Sequence, residues 1–253
     1  MPTGAPRLPF RLLHRAARGA RPAWRLLLVS MLCAAPARAD VIASARYIEP
    51  TDRYTHGILG DAIEWGALEV TLSEGTTVTF TLPPDHVFED VAPRLTDLDN
   101  DGSPEVIVVE TDMSKGGALA IYGPQGKITE TPHIGTRNRW LAPLGGADLD
   151  GDGVVELAYI DRPHLAKTLR IWRYERRGLT PVADLRGLTN HRIGERDIAG
   201  GIRTCNGAPE MILATANWAE LVSLTWDGAN FTTKRLGSNT SRAAFATSMA
   251  CAE

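Results

Sequence analysis

Two short acidic segments of the chain have the spacing of divalent-cation ligands. One runs from Asp97 to Glu105 and the other from Asp148 to Glu156. In each, carboxylates stand at positions 1, 3, 5 and 9, a glycine at position 6 permits a sharp turn, and position 7 offers a backbone carbonyl. Because oxygen donors alone favour a hard cation, the sequence predicts two Ca²⁺ ions. The predicted ligands are Asp97, Asp99, Asp101, Ser103 and Glu105, and Asp148, Asp150, Asp152, Val154 and Glu156.

Two other structures could contain such acidic segments. An EF-hand needs a glutamate at position 12 between two helices, but position 12 is Val108 in one segment and Tyr159 in the other. Strand-like sequence follows both segments, so the EF-hand is rejected. The remaining alternative is an acidic, solvated turn without metal.

The segments belong to a repeat of about fifty residues. A leucine that opens a strand recurs at Leu68, Leu119, Leu169 and Leu221, with separations of 51, 50 and 52 residues. Each leucine begins an alternating hairpin, and an apolar strand precedes each hairpin. Four such antiparallel units predict an all-β, small β-propeller-like repeat fold of about four blades. The predicted repeats are residues 40–85, 86–136, 137–187 and 188–240.

The acidic loop that leads into a Val/Ile-rich strand resembles the FG-GAP/VCBS repeats of integrin-α-like β-propellers. This resemblance implies calcium ions in loops between blade strands and an exported binding or adhesion protein. The literal Phe-Gly…Gly-Ala-Pro signature is missing, and the length allows about four blades where integrin-type propellers have seven. In the last repeat, Asn206–Glu210 aligns with Asp101–Glu105, but Ile202 and Thr204 replace the first two carboxylates.

The first 39 residues differ from the rest of the chain. They hold seven arginines and no acidic residue, then a short apolar run and an Ala-Arg-Ala site. This is typical of a secretory signal peptide cleaved after Ala39, so we expect a periplasmic or secreted protein. A structural helix, or a lipoprotein anchor at Cys33, is the alternative.

The chain after residue 39 has 20 basic and 30 acidic residues, a net charge of −10, which argues against nucleic acid as a partner. No apolar run is long enough to span a membrane.

Export leaves an even pair of cysteines, Cys205 and Cys251. In an oxidising compartment we expect them to form a disulfide, with two buried free thiols as the alternative. We also expect residues 241–253 to close the ring of blades by adding a strand to the first repeat.

Polar residues cluster before several strands, and radial stacking of blades would bring them to one face. A binding surface, hydrogen bonding of turns and acid–base catalysis all remain open for them. We favour a non-enzymatic module that binds a protein or glycan, with a hydrolase or lyase as the alternative and a self-associating scaffold as a third possibility. The candidate face residues are His56, His133, Arg137, Arg139, Asp161, His164, His191 and Arg192.

Overall fold

A computed structural model describes residues 41–252 as an almost entirely β protein. The predicted signal peptide, residues 1–39, lies outside the described residues. The elements of the described part are β1 (Ile42–Thr51), β2 (Glu64–Leu72), β3 (Thr77–Thr81), β4 (His86–Phe88), β5 (Arg94–Thr96), β6 (Glu105–Asp112), β7 (Gly116–Gly123), β8 (Gly126–Glu130), β9 (Leu141–Ala147), β10 (Glu156–Asp161), β11 (Thr168–Glu175), β12 (Gly178–Arg186), β13 (Leu188–Thr189), β14 (Gly201–Thr204), β15 (Pro209–Thr215), β16 (Leu221–Trp226), β17 (Phe231–Gly237) and α1 (Arg242–Met249).

The strands form four antiparallel units in chain order. The first unit contains β1–β3, the second β4–β8, the third β9–β12 and the fourth β13–β17. The first two units share one sheet, because β4 pairs with β2 through Trp65 and Phe88 and also pairs with β6. The sheets are open, and none closes into a barrel. The predicted all-β, propeller-like repeat fold is confirmed.

The units pack face to face, as the alternation along their middle strands shows. In β6, Val106 and Val108 enter the apolar cluster shared with the first unit, whereas Ile107 and Val109 enter the cluster shared with the third. Every residue of β6 is buried. Such continuously apolar strands are stable only when both faces are covered, and each buried Val or Ile contributes roughly 1.5–3 kcal/mol. The third and fourth units enclose another cluster of the same kind.

The C-terminal tail differs from the expectation of a closing strand. Residues Arg242–Met249 form a helix, whose first turn is capped by the Ser241 hydroxyl accepting from the Ala244 N–H at 3.3 Å. Phe245 of this helix packs with Ile212 and other residues of the fourth unit. The helix therefore covers the outer face of the last sheet instead of adding a strand to the first unit. No helix within residues 41–252 is long and apolar enough to cross a membrane.

The predicted disulfide between Cys205 and Cys251 is confirmed, with a Cα–Cα distance of 5.7 Å. Cys205 directly follows β14, and Cys251 lies two residues beyond α1. The Arg203 guanidinium reinforces this connection by donating to the Ser248 carbonyl near the end of the helix. The tail is thus fixed to the fourth unit by a covalent bond, a hydrogen bond and apolar packing.

Candidate calcium loops and ligand pocket

The two acidic loops occupy equivalent places in the second and third units. One connects β5 to β6 and the other connects β9 to β10. Gly102 and Gly153 have the same φ of 89°, which a side chain would disfavour. The position-9 glutamates are also equivalent, because Glu105 accepts from the Leu98 N–H at 3.0 Å and Glu156 accepts from the Leu149 N–H at 3.0 Å. The repeated sequence therefore produces a repeated backbone.

Carboxylate oxygens converge within each loop. Donor atoms of Asp97, Asp99 and Asp101 lie within 4.8 Å of one another, and so do those of Asp148, Asp150 and Glu156. The position-1 aspartates also hold the turns, since Oδ2 of Asp97 accepts from Gly102 N and Oδ2 of Asp148 from Gly153 N, each at 2.9 Å. The next residues, Ser103 and Val154, donate their N–H groups to Asp101 and Asp152 at 2.7 and 2.9 Å. This all-oxygen donor set fits a hard divalent cation.

An arginine side chain distinguishes the surroundings of the second loop from those of the first. Arg173, opposite Glu156 in the β10–β11 pair, reaches into the second loop. Its Nε donates to Glu156 Oε1 at 2.7 Å, and its Nη2 lies 2.5 Å from Asp150 Oδ2 and 3.1 Å from Asp152 Oδ2. In the second unit the register places Gly123 at the equivalent position, next to Tyr122. The second loop therefore contains an internal positive charge that the first loop does not receive from this position.

The fourth unit also places an arginine beside the glutamate of its loop. Glu210, the equivalent of Glu105, lies opposite Arg203 in the β14–β15 pair and accepts from its Nη2 at 2.8 Å. The Ser223 hydroxyl also donates to Glu210 at 2.9 Å. Hydrogen bonds to Arg203, with Ser223 adding to them, hold the pKa of Glu210 below its usual range. A guanidinium therefore balances the remaining glutamate where the loop aspartates are missing.

A pocket of about 200 Å³ lies where loops of several units meet. Two large apolar side chains at this pocket are unusually exposed, Leu165 at 64% and Ile193 at 70%. Exposed apolar groups beside polar ones are typical of an interaction site. The residues lining the pocket are His56, Ile58, Asn138, Arg139, Trp140, Arg162, Pro163, His164, Leu165 and Ile193.

A buried carboxylate supports one wall of the pocket. Glu89 is fully buried and lies 2.5 Å from His56, measured between Oε1 and Nδ1. Its other oxygen accepts from the Thr111 hydroxyl at 2.8 Å, and its backbone carbonyl accepts from the Trp140 indole at 2.7 Å. Burial raises the pKa of Glu89, and its contacts with His56 and Thr111 oppose that rise. The pair fixes the orientation of the His56 ring toward the pocket.

Another wall contains two histidines in direct contact. His164 lines the pocket, and its Nε2 lies 3.1 Å from Nδ1 of the fully buried His191 behind it. Burial, followed by the proximity of His191, lowers the pKa of His164 to about 4. Burial also lowers the pKa of His191, whose Nε2 lies 2.9 Å from the Glu195 carbonyl oxygen. Both imidazoles are therefore neutral near pH 7.

The remaining candidate face residues lie elsewhere. His133 and Asp161 line a separate groove of about 500 Å³ between the segment that follows β8 and the third unit. Arg137 lies over the Tyr54 ring at 5.4 Å, and Arg192 stacks on Trp218 at 3.7 Å. Of the eight candidates, the structure brings His56, Arg139 and His164 to one pocket.

Several residues of these sites were not singled out in the sequence. Glu89 and Tyr54 give no local signal, because their partners are distant in the chain. Arg173 could have been found, since pairing the apolar strand with its hairpin places it opposite Glu156.

One segment of the chain matches a known repeat family. Residues 97–159 match the model of the FG-GAP-like repeat family, a segment that begins at the first acidic loop and ends in β10. The chain therefore contains an FG-GAP-like repeat over these residues. No curated protein sequence matches it significantly.

One similar solved structure is a crystal structure of an exo-β-1,3-galactanase from Phanerochaete chrysosporium with β-1,3-galactotriose. The two chains are 14% identical with a TM-score of 0.39, and the match covers 69% of this chain and 44% of the galactanase chain. The matched part therefore spans less than half of that enzyme.

Proposed function

We propose that the protein is an exported, calcium-stabilised binding module that presents the pocket lined by His56 and His164 to a protein or glycan. The observation that carries the calcium assignment is the equivalence of two carboxylate loops that differ in sequence but share hydrogen bonds and glycine geometry. Export, with residues 1–39 as a cleaved leader, is supported by the disulfide and by the FG-GAP repeat.

The proposed role of calcium is to hold neighbouring units together. The Asn100 side chain of the first loop donates to the Gly153 carbonyl of the second at 3.0 Å. An ion in either loop would neutralise carboxylates that otherwise repel one another, and would fix the strand that each loop introduces. Because a preformed site is absent from the unfolded chain, calcium binding adds to folding stability.

Calorimetric titration with Ca²⁺ tests this assignment. We expect two ions per chain, with tighter binding at the first loop because Arg173 occupies the carboxylates of the second. Asp99→Ala should abolish the tighter site and Asp150→Ala the weaker one. Arg173→Gln should strengthen the weaker site about tenfold, equivalent to ~1.4 kcal/mol, by removing the competing charge.

Glu175→Gln, at an exposed carboxylate on β11, serves as the matched control and should leave both sites unchanged. A wild-type protein that binds no calcium, or an Asp99→Ala protein that still binds two ions, would rule out the assignment.

The ligand proposal rests on the mixed surface of the pocket. Leu165 and Ile193 offer exposed apolar contact, whereas neutral His164 and charged Arg139 offer polar contact. Such a combination suits the apolar faces and hydroxyl groups of a sugar, or a short segment of a protein. The His56–Glu89 pair is the observation that keeps a hydrolase or lyase as the second candidate, because a carboxylate that orients an imidazole can support general base catalysis.

Binding to an array of immobilised oligosaccharides separates the two functions. For a binding module we expect retention of intact oligosaccharide, weakened at least about tenfold by Leu165→Ser combined with Ile193→Ser. Val182→Ser, which changes an exposed apolar residue of the other groove, should have no effect. Cleaved products that appear with the wild type but disappear with His56→Gln would instead establish the enzyme, and no retention would exclude a glycan ligand.

A further inference from the structure

We propose a transition-metal site, with Zn²⁺ as its expected ion, formed by His86, Asp112 and His133. Each of these side chains offers one ligand atom, and the three atoms lie within 4.8 Å of one another. His86 and Asp112 face each other across the β4–β6 pair, and His133 follows β8. Two imidazoles and one carboxylate suit zinc and similar ions, and nitrogen donors distinguish this site from the calcium loops.

Both imidazoles are held in an orientation suited to metal binding. Nδ1 of His133 lies 2.7 Å from the Gly116 carbonyl oxygen, which can only accept, so this nitrogen carries the proton. Nδ1 of His86 lies 2.9 Å from a carboxylate oxygen of Asp85. In each ring, Nε2 is then left with a lone pair for a metal. An oxygen acceptor on the far nitrogen is the usual support of a metal-bound histidine.

The carboxylate is fixed in place as well. Asp112 is buried, and its Oδ1 accepts from the Ser114 N–H at 2.8 Å and the Ser114 hydroxyl at 2.6 Å. The Lys115 N–H donates to the same oxygen at 3.1 Å. Oδ2 pairs with the Lys115 ammonium at 2.6 Å. Because the Lys115 side chain is 63% exposed, it can move into solvent and leave Oδ2 to a metal.

The other charged groups around the site come from the adjoining segments. Glu130 at the end of β8 lies 3.8 Å from Nε2 of His133, close enough to become a further ligand or to bind a coordinated water. Nε of Arg53 donates to the backbone carbonyl of His86 at 3.0 Å and so helps to hold β4 in place. A metal here would connect β4, the strand that joins the first two units, to the segment that follows β8.

The test is titration of the full chain with Zn²⁺ in excess Ca²⁺, with Co²⁺ absorption as a report of nitrogen ligation. We expect one tight Zn²⁺ ion per chain. His86→Asn and His133→Asn should each weaken it at least about tenfold. Asparagine lacks the ligand Nε2, but its amide N–H can still donate to the oxygen that accepts from Nδ1 of each histidine. Folding should therefore survive both substitutions. Lys115→Gln should strengthen binding several-fold by removing the competing cation.

His164→Asn is the matched control, because it changes a partly buried histidine outside the cluster and should leave Zn²⁺ affinity unchanged. If the three residues form only a structural hydrogen-bond network, no saturable Zn²⁺ or Co²⁺ binding will be seen in the wild type. Binding that is insensitive to both His86→Asn and His133→Asn would equally overturn the proposal.

Discussion

Breaking the Cys205–Cys251 disulfide is expected to lower the free energy of unfolding by about 4 kcal/mol. The bond joins residues separated by 46 positions, and a cross-link over that distance removes much of the conformational freedom of the unfolded chain. In the folded protein it holds α1 over the fourth unit, where Phe245 is buried. Chemical denaturation of the oxidised and the reduced protein measures the difference.

Serine variants separate the bond from the packing of its sulfur atoms. Cys205→Ser, Cys251→Ser and the double variant should all lose the same stability, because each removes the same covalent link. Reducing agent should destabilise the wild type and have no effect on the double variant. A loss below about 1 kcal/mol on reduction would show that α1 is held by packing and hydrogen bonds alone.

The features that repeat along the chain could be predicted from the sequence alone. The acidic loops, the hairpins and the apolar strands recur about every fifty residues, so each copy supports the assignment of the others. The cysteine pair could also be predicted, since only Cys205 and Cys251 lie outside the predicted leader. These inferences depend on spacing along the chain, which a single sequence displays directly.

The tail could not be assigned in the same way because it occurs once. Residues 242–249 contain three alanines and follow Ser241, a suitable helix cap, yet the need to cover a free sheet suggested a strand. Instead, the helix covers the sheet of the fourth unit, because Phe245 packs with Ile212 and other apolar residues of that unit. The helix propensity of this segment therefore predicts its structure better than the expectation of a closed ring does.

The pocket depends on side-chain direction, which polar clusters in a sequence do not reveal. His164 and His191 both lie in polar segments that precede strands, yet His164 lines the pocket and His191 is buried behind it. The support from Glu89 was equally hidden, because its partner His56 is 33 residues away in the chain. Long-range pairings of this kind need the tertiary fold.

The buried carboxyl group of Glu64 is expected to make the folded protein less stable as the pH rises. This residue begins β2 and is only 2% exposed. Burial, followed by repulsion from Glu89, Asp61 and Asp90, raises its pKa from the ordinary 4.5 to about 9. The folded chain therefore retains a proton at pH 7 that the unfolded chain releases.

The sign of the effect follows from this difference in bound protons. The contribution of the neutral carboxyl is fully present below about pH 4.5 and is lost as the pH rises toward about 9, at ~1.4 kcal/mol per pH unit. Glu64→Gln replaces the neutral acid by an uncharged group of similar shape. At pH 7 this variant should be about 3 kcal/mol more stable than the wild type, and the two should converge near pH 4.5.

Denaturation curves of both proteins between about pH 5 and about pH 8, at constant calcium, measure this difference. Glu69→Gln is the matched control on the same strand, because Glu69 pairs with the largely exposed Arg46 and its loss should cost less than about 1 kcal/mol at any pH. The acidic loops and other carboxylates affect wild type and variant alike, so only the difference between their stability–pH profiles reports on Glu64. Parallel profiles would mean that Glu64 is ionised in the folded protein and that the acidic surroundings are balanced by a cation.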